Sequence, residues 1–167
     1  RKDIFNEINL RKAITMVFDF EWSNKNLFYN QYLRSNSYFS NSELVADIKP
    51  SNDELMLVEK LNINKINIKD KIKLPVNKSP SDYRKSLISA KKILDKTGYE
   101  VRDGQLYSPS NQPIIINFLL AQKGFERILA PFRNNLKRLG ITLNYRTVDL
   151  SLYQQRLDNF EFDMTVV

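Results

Sequence analysis

Two pairs of carboxylates are the residues best spaced for chemistry. Asp19 and Glu21 flank Phe20 beside Trp22, and Glu161 and Asp163 flank Phe162. Such pairs can trade a proton as acid and base, or clasp a cation. Residues two apart on a helix do not share a face, so the first pair reads better as a helix junction, with Trp22 packed and one carboxylate capping the next turn. On a strand the second pair points one way, but nothing nearby supplies further ligands, and the solvated mouth of a sheet edge is the commoner outcome. Phe125-Glu126-Arg127 opens a helix in which Glu126 complements the dipole, and Arg127 either holds an anion or makes an ordinary surface pair. Tyr38 and Phe39 lie in a polar segment, where aromatic rings either meet a ligand or tuck the loop onto the core.

The absences exclude more. The 167 residues contain no histidine and no cysteine. The chain therefore holds no Ser-His-Asp or Cys-His nucleophile, no imidazole or thiolate zinc site, no iron–sulfur cluster and no dithiol redox pair. Its four glycines, Gly98, Gly104, Gly124 and Gly140, cannot build a glycine-rich phosphate cradle. No run of about 18 apolar residues is present to form a membrane span. The net charge of +7 admits nucleic acid or acidic lipid as a partner. The basic residues are spread along the chain, and the densest run, Lys60 to Lys78, is interleaved with Asn and Ile, as on an ordinary solvated surface. A basic α/β nucleic-acid-binding domain is the runner-up, weakened by the lack of an aromatic RNA-binding strand motif. An enzyme using carboxylates or Ser and Lys ranks last, because no convergent acid and base are visible.

Periodicity supplies the elements that must position these residues. Leu10, Ala13, Ile14, Val17 and Phe18 fall at helical spacing over Asn9–Phe20, and a short second helix through Leu27 and Phe28 follows a cap at Ser23 or Asn24. Residues 34–42 read as a loop and Asp53–Leu61 as a short helix. Asn62–Ser81 is irregular, with weak alternation of isoleucines. Ser79-Pro80-Ser81-Asp82 starts a helix that buries Leu87, Ala90, Ile93 and Leu94 and stops at Gly98. Asp103-Gly104 marks a hairpin. Pro113–Leu120 is a strand, Phe125–Leu139 a helix with Pro131 inside it as a kink point, and Ile141–Val148 a strand. Ser151 with Gln154 predicts a capping box for a short helix, and Phe160–Val167 a last strand. Strand, helix, strand, helix, strand implies an α/β layer with crossover connections.

The order of these motifs resembles the family 5 extracellular solute-binding proteins, the peptide and nickel receptors of ABC importers, most of all their Yej-type oligopeptide-binding branch. The resemblance is carried by Asn9-Leu10-Arg11-Lys12-Ala13-Ile14, by Phe18-Asp19-Phe20-Glu21-Trp22-Ser23-Asn24-Lys25, and by Tyr32 to Leu44, with Ser37-Tyr38-Phe39-Ser40-Asn41-Ser42-Glu43-Leu44 at its centre. Ala90 to Tyr99, Phe125-Glu126-Arg127, Leu139-Gly140-Ile141, Arg146-Thr147-Val148-Asp149, Tyr153, Arg156 and Phe162-Asp163-Met164 follow in the family's order. Tyr99 replaces the family's usual Trp, and the segments around Asp47–Pro50 and Leu74–Ser81 depart from its pattern.

The resemblance implies a periplasmic-binding-protein type II-like lobe, with a mixed sheet and crossover helices on its faces. Residues 1–167 then form one α/β lobe, a fragment covering most of the second lobe of a two-lobe receptor. It implies transport rather than catalysis, no cofactor and no metal. It also implies a periplasmic or extracellular setting, with oligopeptide, the other lobe and the transporter's membrane subunits as partners and no nucleic acid. By the same analogy the ligand-binding residues present here are Arg34, Asn36, Ser37, Tyr38 and Phe39.

Overall fold

The computed structural model describes residues 3–35, 37, 39–45, 50–61 and 74–166. Asn36, Tyr38 and most of the irregular stretch after Leu61 lie outside the described residues. The chain divides into two compact units: residues 1–31 with 75–167, and residues 32–74.

The first unit is built around β3 (Ile115–Leu120), which pairs in parallel with β4 (Thr142–Thr147) on one side and with β5 (Met164–Thr165) on the other. The spatial order is β4-β3-β5. Helix α5 (Glu126–Lys137) connects β3 to β4, and α6 (Leu150–Asp158) connects β4 to β5. Right-handed crossovers running in opposite directions put the two helices on opposite faces of the sheet. A strand paired on both edges and covered on both faces reads as an almost continuous apolar run, as Ile114 to Leu120 does.

On one face Ile116, Phe118, Leu120 and Leu143 join the core with Leu129, Phe132 and Leu136 of α5. The same core takes Leu10, Ala13, Ile14 and Val17, at α1 (Ile8–Met16) and its C-terminal cap, and Ala90 and Leu94 from α4 (Pro80–Lys96). Phe18 packs edge-to-face on Phe132, with ring centroids 5.4 Å apart. Asn135 Nδ2 donates to the Val17 carbonyl at 3.1 Å, fixing the end of α1 to α5. On the opposite face Tyr153 of α6 reaches the Val166 carbonyl at 2.7 Å, and Thr165 Oγ1 donates to Leu119 O.

The helix starts follow local chemistry. Ser79 Oγ accepts from Asp82 N and donates to Asp82 Oδ2, with Pro80 at the first helical position, as the sequence predicts. The expected single helix to Phe20 instead breaks after Met16. Asp19 accepts from Trp22 N and starts α2 (Phe20–Leu27) before Ser23 or Asn24 can act as cap. The capping box expected at Ser151 is displaced in the same way. Asp149 is the cap, accepting from Leu152 N at 3.0 Å, and Ser151 lies inside α6. Asp takes the cap ahead of the later Ser or Asn at both ends because a charged acceptor three residues before the amide satisfies it and favours the helix dipole.

The last strand is also shorter than the sequence suggests. Residues 159–161 close α6, with Phe160 left-handed at φ 55° and Glu161 N donating to Arg156 O. Only Met164–Thr165 pair with β3. The hairpin is as expected. β1 (Glu100–Arg102) and β2 (Gln105–Tyr107) are antiparallel, with Asp103 and Gly104 both at positive φ. In the second unit Ser51 and Glu54 form a full capping box for α3 (Asn52–Lys60).

Two helices end on left-handed glycines that are not equivalent. Gly98 has φ +81°, and an added Cβ would meet only the Pro109 side chain, at 3.3 Å. Gly140 has φ +77°, and a Cβ there would lie 2.8 Å from Leu106 N, because Leu106 N donates to the Gly140 carbonyl at 2.7 Å. Both variants incur left-handed strain of about 1–2 kcal/mol. Gly140→Ala must also push β2 away. In the protein that carries this chain, Gly140→Ala is expected to lower the denaturation midpoint clearly more than Gly98→Ala. Equal losses in urea unfolding would show that the β2 contact carries no energy.

Candidate functional site

The carboxylates singled out by spacing are committed to structure. Besides capping α2 through Asp19, this pair supplies Glu21 Oε2, which accepts from Asn77 N at 2.9 Å, across 56 residues of sequence. Trp22, expected to be packed, is 46% exposed. Glu161 and Asp163 do not share a strand face, since β5 begins only at Met164. Asp163 Oδ2 accepts from Asn117 N at 2.7 Å and Asp163 N donates to Asn117 O at 3.0 Å, so the residue extends the β3–β5 ladder by one exchange. Glu161 accepts from Asn159 Nδ2 at 3.3 Å. Glu126 stands in the first turn of α5, as expected, and its Oε1 accepts from Thr147 Oγ1 at 2.7 Å. Among the described residues no group of acidic side chains is placed to hold a metal ion.

The expected rim, Arg34 to Phe39, belongs to the second unit. Arg34 and Ser37 are half-buried. Ser37 Oγ accepts from Phe39 N, and Ser37 O accepts from Ser40 N and Oγ. Phe39 O accepts from Ser42 N and Oγ, and Ser42 Oγ accepts from Leu44 N. Hydroxyls two or three residues apart thus satisfy successive turns from within, the local chemistry that Ser offers a backbone outside helix and strand. The turns leave Phe39 56% exposed. Asn36 and Tyr38, the other two expected rim residues, lie outside the described residues.

A groove of about 910 Å³ lies wholly in the first unit, between α2, the start of α4 and α5. Asp19, Glu21, Trp22 and Lys25 line it from α2 and its cap, Asn77, Lys78 and Tyr83 from the start of α4, and Pro131 and Arg138 from α5. Asn77 is buried, at 5% exposure, and its Oδ1 accepts from Ser86 Oγ at 2.8 Å. Burial pushes the Tyr83 phenol up to about 12, with the nearby Asp19 carboxylate adding to the rise and Arg138 opposing it. Sequence reasoning did not mark Asn77, Tyr83 or Arg138. Asn77 and Tyr83 come from the start of α4 and Arg138 from the end of α5, and no local pattern distinguishes them from surface residues. Only the position of Asn77, just before a strong helix start, was a signal.

An open parallel sheet covered by crossover helices carries the groove in the first unit, and serine-bonded turns stand in the second. The chain belongs to the bacterial extracellular solute-binding proteins, family 5, whose middle-region model matches residues 1–167. It is 34% identical over 99% of its length to a probable peptide-binding protein, YejA, of Agrobacterium fabrum, and spans about 28% of that relative. The fold matches the oligopeptide-binding protein AppA of Bacillus subtilis in complex with a nonapeptide, with a TM-score of 0.71 and 17% identity, over 99% of this chain and 28% of that one. It also matches NikZ of Campylobacter jejuni in complex with Ni(L-His), with a TM-score of 0.66 and 11% identity, over 99% and 27%. No helix among the described residues is long and apolar enough to cross a membrane.

The raised phenol has a consequence for alkaline stability. A folded-state value above the unfolded one means that the folded chain retains the proton longer. The stability linked to this group is therefore complete below about pH 10 and is lost as pH rises toward 12. Tyr83→Phe should remove that part of the loss, so the variant gains stability relative to wild type from about pH 9 to about pH 11.5. Parallel stability curves across that range would show that Tyr83 titrates normally.

Proposed function

We propose that this chain is part of one lobe of the substrate-binding component of an ABC importer. The whole protein captures oligopeptides in a cleft between two lobes and delivers them to the membrane subunits of the transporter, outside the cytoplasmic membrane. The observation that carries the reading is the family match over residues 1–167, joined to 34% identity with a relative named as a probable peptide-binding protein. The absence of His and Cys supports binding over nucleophilic or thiolate chemistry. The choice of peptide rests on the relative and not on the fold, since the same fold holds a nonapeptide in one solved structure and nickel–histidine in another.

Residues 1–167 form a single lobe in this reading, and Arg34, Asn36, Ser37, Tyr38 and Phe39 form the rim that touches the peptide. The internally bonded turns from Ser37 to Leu44 support that role, because a preformed rim loses little entropy when a ligand arrives. A hinged receptor also gains affinity from closure, so half a site binds poorly.

Native mass spectrometry of the complete protein, purified without added ligand, tests the reading. A heterogeneous ladder of peptide adducts is the expected result. Nucleic-acid adducts would favour the basic-domain alternative, and a bare protein that also ignores defined peptides in titration would sink the receptor reading. Replacing Tyr38 and Phe39 together by Ala should weaken peptide binding by about ten-fold or more, the cost of losing aromatic anchors. Unchanged affinity removes this rim from the site.

A further inference from the structure

Two buried hydrogen-bond donors in the groove of the first unit lack a partner among the described residues. The backbone N–H of Asn77 is taken by Glu21 and its Oδ1 by Ser86, yet its Nδ2 has no partner among the described residues. The Tyr83 hydroxyl is buried in the same condition. A buried polar group left unpaired costs about 1–3 kcal/mol, and folded proteins rarely tolerate one without a reason. Lys25, Lys78 and Arg138 line the same groove, and none of them carries an ion pair among the described residues. The two carboxylates there are occupied, Asp19 by Trp22 N and Glu21 by Asn77 N. Among the described residues the groove thus offers two buried donors without a hydrogen-bond partner and three cations without an ion pair. Its walls include Phe18, Trp22 and Pro131, and its volume of about 910 Å³ exceeds what an inorganic ion would fill.

We propose that this groove is a binding site distinct from the Arg34–Phe39 rim, and that it takes a carboxylate carried on a small apolar body. Arg138 meets the carboxylate as a planar, bidentate partner. Asn77 Nδ2 and Tyr83 Oη supply neutral hydrogen bonds, and Trp22 packs against the apolar part. The carboxylate is either that of a free organic acid or that of a peptide. Only the second source rests on the peptide-receptor reading.

The test is calorimetric titration of the complete protein with glutarate, and with a neutral pentapeptide bearing either a free or an amidated C-terminus. Arg138→Gln is expected to weaken binding of a carboxylate probe at least ten-fold, and Tyr83→Phe several-fold, while the amidated peptide is indifferent to both. Glutarate binding that depends on Arg138 assigns the site to free acids even if no peptide binds. An Arg138-dependent advantage of the free over the amidated peptide assigns it to peptides. Failure of every carboxylate probe to bind, or binding that ignores both substitutions, overturns the proposal. An amidated peptide that binds as well as the free one, with no glutarate binding, removes the carboxylate site and leaves peptide reception standing. Without ligand, Tyr83→Phe should melt no lower than wild type, because it deletes only an unpartnered hydroxyl. A clear drop would mean that another part of the protein satisfies that hydroxyl and fills the groove.

Discussion

The pairing of β3 on both edges is the constraint from which the first unit follows. Its parallel neighbours arrive only through long crossovers, so α5 and α6 are obligatory, and their opposite directions cover both faces. One of those faces then has to be completed by helices from elsewhere in the chain. Leu10, Ala13, Ile14 and Val17, with Ala90 and Leu94, do so, and the Asn135 bond to Val17 O seats the end of α1 against α5. The groove is a by-product of this seating. Where α1 ends and α2 turns away, Pro131, Asn134 and Arg138 of α5 line the groove.

The same frame recurs in proteins that hold different cargo. A nonapeptide receptor and a nickel–histidine receptor share it with this chain at 17% and 11% identity. The frame by itself therefore does not select the cargo.

Much of the fold was legible because it is written in short-range chemistry. Ser79-Pro80 with Asp82, the Asp-Gly turn, the left-handed glycines and the apolar run of β3 each state their structure within a few residues. The failures were also local. Asp19 and Asp149 took the caps assigned to later residues, and the end of α6 consumed residues expected to belong to β5. The family resemblance reached further than the patterns did, because it rests on the order of motifs across the whole chain. It offered the rim by analogy but said nothing of the groove. Asn77, Tyr83 and Arg138 are brought together by tertiary packing alone, and a buried donor lacking a partner can be recognised only after the surroundings have closed around it.

The Glu21 bond to Asn77 has a consequence for how such a protein can change over time. The chain leaves the first unit after Gln31 and re-enters at Pro75, and this one carboxylate, ten residues before the exit, holds the amide two residues after the return. Everything between them is a closed loop whose ends are fixed whatever its content. The entropy of closing such a loop grows only with the logarithm of its length, about 0.6 kcal/mol for each doubling. Insertions and deletions there are therefore nearly free for the first unit. The excursion can change as a unit, while the sheet stays under its own separate constraint.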